Sequence, residues 1–190
     1  MYTKEKSLYN LKEVLIMDLL EVMRSRRSVR TYTGETVAEE KVDQILKAGL
    51  LSASGKNLKP WEFIVVRDKE VLAKLTKSRA AGAAMIEHAD CAIVVIGDTE
   101  KTDVWTEDCS AAMTNMHLMA DYLGVGSCWV QGRLREASDG RTTEDFIREL
   151  LSIPDKYGVE AILSLGMTKD HPAAYSVDEL PMEKVHKEKF

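Results

Sequence analysis

Cysteine is scarce in this chain: Cys91, Cys109 and Cys128 are three in 190 residues, an odd number with no Cys-x-x-Cys spacing. That pattern favours reduced, mostly buried thiols in a cytoplasmic protein over a disulfide framework or a zinc site. Long apolar runs are missing too. No stretch approaches the roughly 20 residues of a membrane span. Near the N-terminus, Asp18 cuts off the apolar stretch Val14–Met17, well short of a secretory core of about 7–15 residues. Positive charge is in the minority, with 26 Lys and Arg against 31 Asp and Glu, a net −5, so an extended surface for nucleic acid is not expected. Neither a phosphate-loop nor a dinucleotide glycine fingerprint occurs, and HExxH and GxSxG are absent as well. His88, His117, His171 and His186 are scattered without metal-ligand spacing. His117, inside an apolar segment, reads as a satisfied core residue. A chain long enough to bury a proper core but without a catalytic set of its own leaves the chemistry to a cofactor.

What is present fits one domain over residues 17–190, preceded by a polar, lysine-rich extension over 1–16. Met17 reads as an alternative translation start. Asp18 and Glu21 predict a capped helix. Thr36 and Glu39 form the pattern of a capping box before Val42, Ile45, Leu46 and Leu50, which recur at helical spacing. A loop follows at SASGKNLKPW, then a buried strand over Glu62–Val66, a short helix capped by Asp68 and a second strand over Cys91–Gly97. The segment from Val104 to Leu123 is apolar around most of its girth, the mark of a helix buried centrally or against a partner chain. A short strand ending near Gly132, a helix capped by Thr142 and Asp145, a last strand in VEAILSLGM and a charged tail complete the order. Three or four strands interleaved with helices predict an α+β or α/β domain.

The remaining feature is MRSRRSVRTY, where Arg24, Arg26, Arg27 and Arg30 gather within seven residues of an acidic chain. Two readings stand side by side: a solvated basic face, or a pocket for an anion such as phosphate. RRSVR, then SASGKNLKPWEF, then DCSAAMTNMHLMADYLGVGSCWVQG, in that order and spacing, resemble the nitroreductase family of FMN-binding flavoproteins. The similarity runs over nearly all of the chain from Met17, and the chain is similar to the compact members.

The resemblance implies an α+β three-layer fold, with a central mixed or antiparallel sheet flanked by helices, in an intertwined homodimer holding FMN at the subunit interface. By that likeness Arg26, Arg27, Ser28 and Arg30 stand at the phosphate, ribityl and pyrimidine contacts. Ala53, Ser54 and Asn57 match the loop that reaches the flavin from the other subunit, with Ala53 where the family usually has proline. Gln131 and Gly132 match the segment beside flavin N5, where a backbone N–H contacts the ring. Lys184 matches a basic residue of the C-terminal tail on the phosphate. Gly82 and Met85 stand where longer relatives carry polar or basic contacts to the pyrimidine edge. The implied activity is hydride transfer from NADH or NADPH through flavin N5 to a small-molecule acceptor, a nitroaromatic or quinone, by ping-pong kinetics. A specialised flavin-dependent dehydrogenase, a flavin-consuming enzyme of the same fold and a non-catalytic flavin-binding, redox-sensing module remain as alternatives. No nucleic acid, membrane or metal is implied.

Overall fold

The computed structural model describes residues 18–190. The expected extension over 1–16 and the Met17 start lie outside the described residues.

Four strands, β1 (Trp61–Val66), β2 (Cys91–Asp98), β3 (Gly126–Gln131) and β4 (Tyr157–Gly166), form one sheet in the order β1-β2-β4-β3. Every pair is antiparallel. The expectation of a mixed or antiparallel sheet therefore resolves to antiparallel, and the only parallel pairing among the described residues is the bridge Ser28–Ser127. The central strands β2 and β4 are buried on both faces, and their side chains alternate between the two layers except at one bulge in β4. Cys91, Ile93, Val95, Ala161, Leu163 and Leu165 point to one layer, built by α2 (Glu39–Leu50) and α4 (Trp105–Tyr122). Ala92, Val94, Ile96 and Ile162 point to the other, built by α3 (Lys69–Leu75) and α5 (Thr143–Leu151). A short helix α1 (Leu19–Ser25) lies against α4.

Two features of the sheet set the seat of α4 and the direction of one buried carboxylate. Gly97 and Gly158 face each other across β2 and β4 with Trp105 lying over both. A Cβ would come within 2.7 Å of the indole at Gly97 and 2.6 Å at Gly158, so the first turn of α4 can seat on the sheet only over glycine. Close by, the register slips: Val95 pairs with Ala161 and Ile96 with Val159, leaving Glu160 as a bulge. Bulges bend a strand and re-aim a side chain.

The helix starts test the capping expectations. Asp68 accepts from Glu70 N and Val71 N, and Thr142 accepts from Asp145 N, as expected. Asp18 accepts from Leu20 N at 3.3 Å, but Glu21 pairs with Arg24 instead of reaching back. The Thr36–Glu39 box does not form, since the N-cap is Ala38 and no side chain caps the helix. A distant competitor explains this: Asp90 Oδ2 accepts from Val37 N at 3.1 Å, and Arg67 donates to Val37 O at 3.1 Å and reaches Glu39 at 3.1 Å. Among the described residues no helix is long and apolar enough to cross a membrane. All three cysteines are free and buried, and burial pushes the Cys91 and Cys109 thiols up to about 12.

Candidate functional site

The arginine-rich stretch leaves the end of α1 as an extended strap along the outer edge of β3. Val29 N donates to Ser127 O at 2.9 Å, and Thr33 N to Met167 O at 2.8 Å. The Tyr32 hydroxyl meets Ser164 Oγ at 2.7 Å. The strap is thus fastened to the sheet by its backbone, and its charged side chains are left for other work. Arg24 is engaged by Glu21. Arg26, Arg27 and Arg30 form no ion pair with any carboxylate among the described residues. In an acidic protein, three guanidiniums within five residues and without a counter-charge fit a polyanionic group, which guanidinium forks grip in bidentate fashion.

Their local partners differ. Arg26 Nη1 lies 3.0 Å from His117 Nε2, and His117 Nδ1 lies 2.6 Å from Ser127 Oγ. Arg27 donates to Ala173 O and lies over the Tyr175 ring at 4.4 Å, so it also pins the start of the C-terminal tail. Arg30 is exposed, with only a 3.4 Å contact to Ser28 O. Ser28 sits opposite Ser127 and beside the Cys128 thiol. His117 is the buried, fully bonded residue that the sequence predicts, and its partners belong to the strap and the strand beneath it. Burial first, then the Arg26 charge, pushes its pKa down to about 4, against a smaller opposing pull from Asp121. The imidazole is neutral at pH 7, Nε2 accepts from Arg26, and the tautomer with Nδ1–H donating to Ser127 Oγ follows from that network.

At the far end of β3, about 13 Å away at roughly 3.3 Å per residue, Gln131 is held on every side. Its Nε2 donates to Glu160 O at 3.2 Å and to Glu160 Oε1 at 3.3 Å, and its Oε1 accepts from Trp129 Nε1 at 2.9 Å. The bulge turns the Glu160 side chain toward α4, where Ser110 Oγ donates to Oε1 at 3.3 Å; Oε2 is buried without a partner. Gly132 N donates to Glu160 O at 3.0 Å, so this N–H is already engaged. A Cβ at Gly132 would sit 3.2 Å from Glu160 O and 3.3 Å from Val159 Cγ1, so the close approach it allows within the chain is to β4. Sequence reasoning missed Arg79, whose Nη1 donates to Gln131 O at 2.6 Å and whose pKa is lowered by burial and by Arg135. Only the fold brings it there; no local motif marks it.

The loop with Ala53, Ser54 and Asn57 is built on strained backbone. Lys56, Asn57 and Lys59 all have positive φ, at 50°, 57° and 49°. Ser54 Oγ accepts from Lys59 N at 3.0 Å, Gly55 N donates to Asp108 Oδ1 at 2.8 Å, and Asn115 Nδ2 donates to Ser52 Oγ at 2.7 Å. Ala53 and Asn57 are exposed. Lys184 is exposed in a turn over Met182–Lys184. Gly82 is exposed and Met85 is buried in the core beside α3 and β2.

One chain does not bring all these residues together. At 100° per residue, Asp108 and Asn115 share one edge of α4, while Ser110, His117 and Asp121 lie about 120–180° away on the opposite edge. The first edge holds the loop; the second holds Gln131, through Glu160, and the strap, through Arg26 and Ser25. Between them an open strip carries Ala111, Thr114, Leu118 and Tyr122. Beside the strip lies an apolar groove of about 380 Å³ lined by Leu19, Val22, Ala48, Leu118, Met119 and Tyr122.

In this three-layer α+β protein the unpaired cationic charge at one end of an edge strand has the chemistry to hold an anionic group. Similarity to known proteins narrows this further. The family model described as Nitroreductase family matches residues 23–85 and 76–167. An Archaeoglobus fulgidus protein, provisionally named an NADH dehydrogenase/NAD(P)H nitroreductase, is 38% identical over 178 residues, covering 91% of this chain and 99% of its own. The solved FMN-dependent nitroreductase from Clostridium difficile is 45% identical with a TM-score of 0.87, covering 90% of this chain and 99% of its own. A Desulfovibrio desulfuricans protein, provisionally named a nitroreductase and solved in complex with FMN, is 27% identical at a TM-score of 0.73, covering 90% of this chain and 97% of its own. The chain belongs to the nitroreductase family.

Proposed function

We propose that this protein is an FMN-dependent NAD(P)H oxidoreductase acting in the cytoplasm as a homodimer, with a flavin shared between the strap of one subunit and the loop of the other. The observation that carries this reading is the set of unpaired guanidiniums, Arg26, Arg27 and Arg30, beside the Ser28 hydroxyl. FMN ends in a phosphate dianion, and each charge-assisted hydrogen bond to it contributes about 1.5–3 kcal/mol. Arg26 and Ser28 would hold that phosphate, and Lys184 of the tail would add a further cation to it. Arg27 divides its duty between the phosphate and the tail. Arg30 places a fixed cation toward the pyrimidine side, which favours a ring carrying negative charge. Gln131 and Gly132 floor the ring end, kept rigid by the Glu160 bulge and by Arg79. When bound, the flavin would supply the two-electron redox chemistry between a reduced nicotinamide and an acceptor. This chain's own groups bind, orient and exclude water.

The dimer is supported by the geometry of α4. The loop Ala53–Asn57 and the strap sit on opposite edges of this helix, so a shared site needs a second copy placed across the open strip. The apolar groove, together with exposed Leu19, Leu20 and Met23 on α1, offers the surface for it. Residues 176–190 are exposed throughout and carry Leu180, Met182 and Val185, which suits a tail packed on a neighbour.

The donor is NADH or NADPH, and nitroaromatics or quinones are the acceptors, used in turn over one ring. Purified protein is expected to be yellow and to release FMN on denaturation, with NAD(P)H oxidation giving parallel initial-rate lines as acceptor is varied. A colourless, well-folded protein that ignores micromolar FMN would refute the reading. A yellow protein that oxidises neither nicotinamide with any acceptor would reduce it to a flavin-binding module.

A further inference from the structure

Arg26 has to be fixed in direction without losing its charge. A carboxylate would hold the guanidinium and cancel it. A neutral acceptor holds it and leaves the charge available to a ligand. His117 meets that requirement, because its Nε2 lies 3.0 Å from Arg26 Nη1. The imidazole is in turn prevented from turning by Ser127 Oγ, 2.6 Å from Nδ1. Ser127 is the strand residue that carries the strap: its O accepts from Val29 N at 2.9 Å, and it faces Ser28 across the parallel bridge. Side chain, imidazole, strand and strap therefore close into one ring of contacts, and the orientation of Arg26 is tied to the position of Ser28. The site is ordered before any ligand arrives, which lowers the cost of binding.

We infer that His117 is a positioning residue for the anion site: an uncharged acceptor that sets the guanidinium of Arg26 toward the phosphate end of the cofactor. The inference rests on the FMN-phosphate reading and adds to it a residue outside the strap, 91 positions away in sequence.

Riboflavin shares the ring and ribityl chain of FMN but has no phosphate, so the ratio of the two affinities isolates the phosphate end. Both ligands are titrated into the full-length apoprotein by quenching of flavin fluorescence. His117→Leu is expected to weaken FMN about tenfold, the equivalent of one misdirected charge-assisted bond, and to leave riboflavin within about twofold. His117→Gln, whose side-chain carbonyl can occupy the Nε2 position, is expected to restore FMN affinity to within about threefold, which a loss of packing alone would not allow. Arg26→Ala serves as the reference and is expected to lower the FMN-to-riboflavin ratio at least as far. An unchanged ratio in His117→Leu beside a lowered ratio in Arg26→Ala overturns the role of His117 and leaves the phosphate reading standing. So does a His117→Gln variant as weak as His117→Leu. An unchanged ratio in Arg26→Ala overturns the phosphate reading and this inference with it. Should His117→Leu lack a cooperative thermal transition, Ser127→Ala takes its place: it frees Nδ1 and is expected to lower the ratio, and an unchanged ratio is fatal to the inference.

Discussion

If α4 separates the loop from the strap within each chain, two defective subunits should repair each other. One variant, Arg26→Ala with Arg30→Ala, removes the grip on the phosphate. At about 1.5–3 kcal/mol for each lost charge-assisted bond, the pair should weaken FMN by roughly 10²- to 10⁴-fold. The other, Ala53→Glu, introduces a carboxylate at an exposed loop position where it does not disturb the core. Each homodimer then has two damaged sites. After random subunit exchange half of the dimers are mixed. In a mixed two-fold dimer one site collects both lesions and the other collects none, so about a quarter of the wild-type sites return. Bound flavin per dimer after co-expression or co-refolding, at an FMN concentration that saturates only intact sites, measures this directly. A mixture as empty as its parents would mean that strap and loop serve the same site within one chain, and the reasoning from the two edges of α4 would be refuted. An Ala53→Glu homodimer that binds FMN normally would equally remove the loop from the site.

Three further outcomes are expected. Asp90→Ala leaves the Val37 N–H without its acceptor and removes one of the two carboxylates on the half-buried Arg67, Glu39 remaining; it should cost about 1–3 kcal/mol, read as a lower urea midpoint, and no measurable loss would refute the assignment. His117 binds a proton more readily unfolded, near its ordinary 6.5, than folded, near 4, so native stability rises with pH across that window and falls on acidification. The shift corresponds to about 3 kcal/mol; His117→Leu should flatten that part of the stability–pH curve, and a variant with the wild-type slope would contradict it. Burial pushes the Cys91 and Cys109 thiols up to about 12, and Cys128 is raised for the same reason; a thiol reagent should modify none of the three in native protein and all of them after denaturation.

The features legible in the sequence are those decided locally. Asp68 and Thr142 cap their helices because the N–H groups they satisfy are two or three residues away. Arg26, Arg27, Ser28 and Arg30 stand out because charge density is visible in a short window. The Thr36 box fails because Asp90 and Arg67, far along the chain, compete for the same backbone. His117 is recognisable as buried and satisfied, but its partner Arg26 lies 91 residues away, so its link to the site is hidden. Gly132 is expected to let backbone approach a ring, and the neighbours it has within the chain are Glu160 and Val159 of β4. Arg79 and the Glu160 bulge are invisible, since each depends on a register between strands and loops that no local spacing encodes.

The long helix shows why such a segment looks apolar nearly all round. One face of α4 packs Cys109, Ala112, Met113, Met116 and Ala120 into the core against the sheet and α2. The outward strip with Ala111, Leu118 and Tyr122, broken by the exposed Thr114, is only partly covered: Leu118 and Tyr122 share the adjoining groove with Leu19 and Val22 of α1. Polar residues survive mainly on the two narrow edges, and there each is committed: Asp108 and Asn115 to the loop, Ser110, His117 and Asp121 to the strap and the Gln131 end. In the proposed dimer a two-fold axis across the strip carries the loop edge of one helix toward the strap edge of the other, and the same rotation does this twice. A substitution on the strip, Leu118→Lys for example, should then release monomers and lose flavin together, although Leu118 lies on neither edge. Monomers that keep FMN at wild-type affinity would separate the interface from the site and defeat this arrangement.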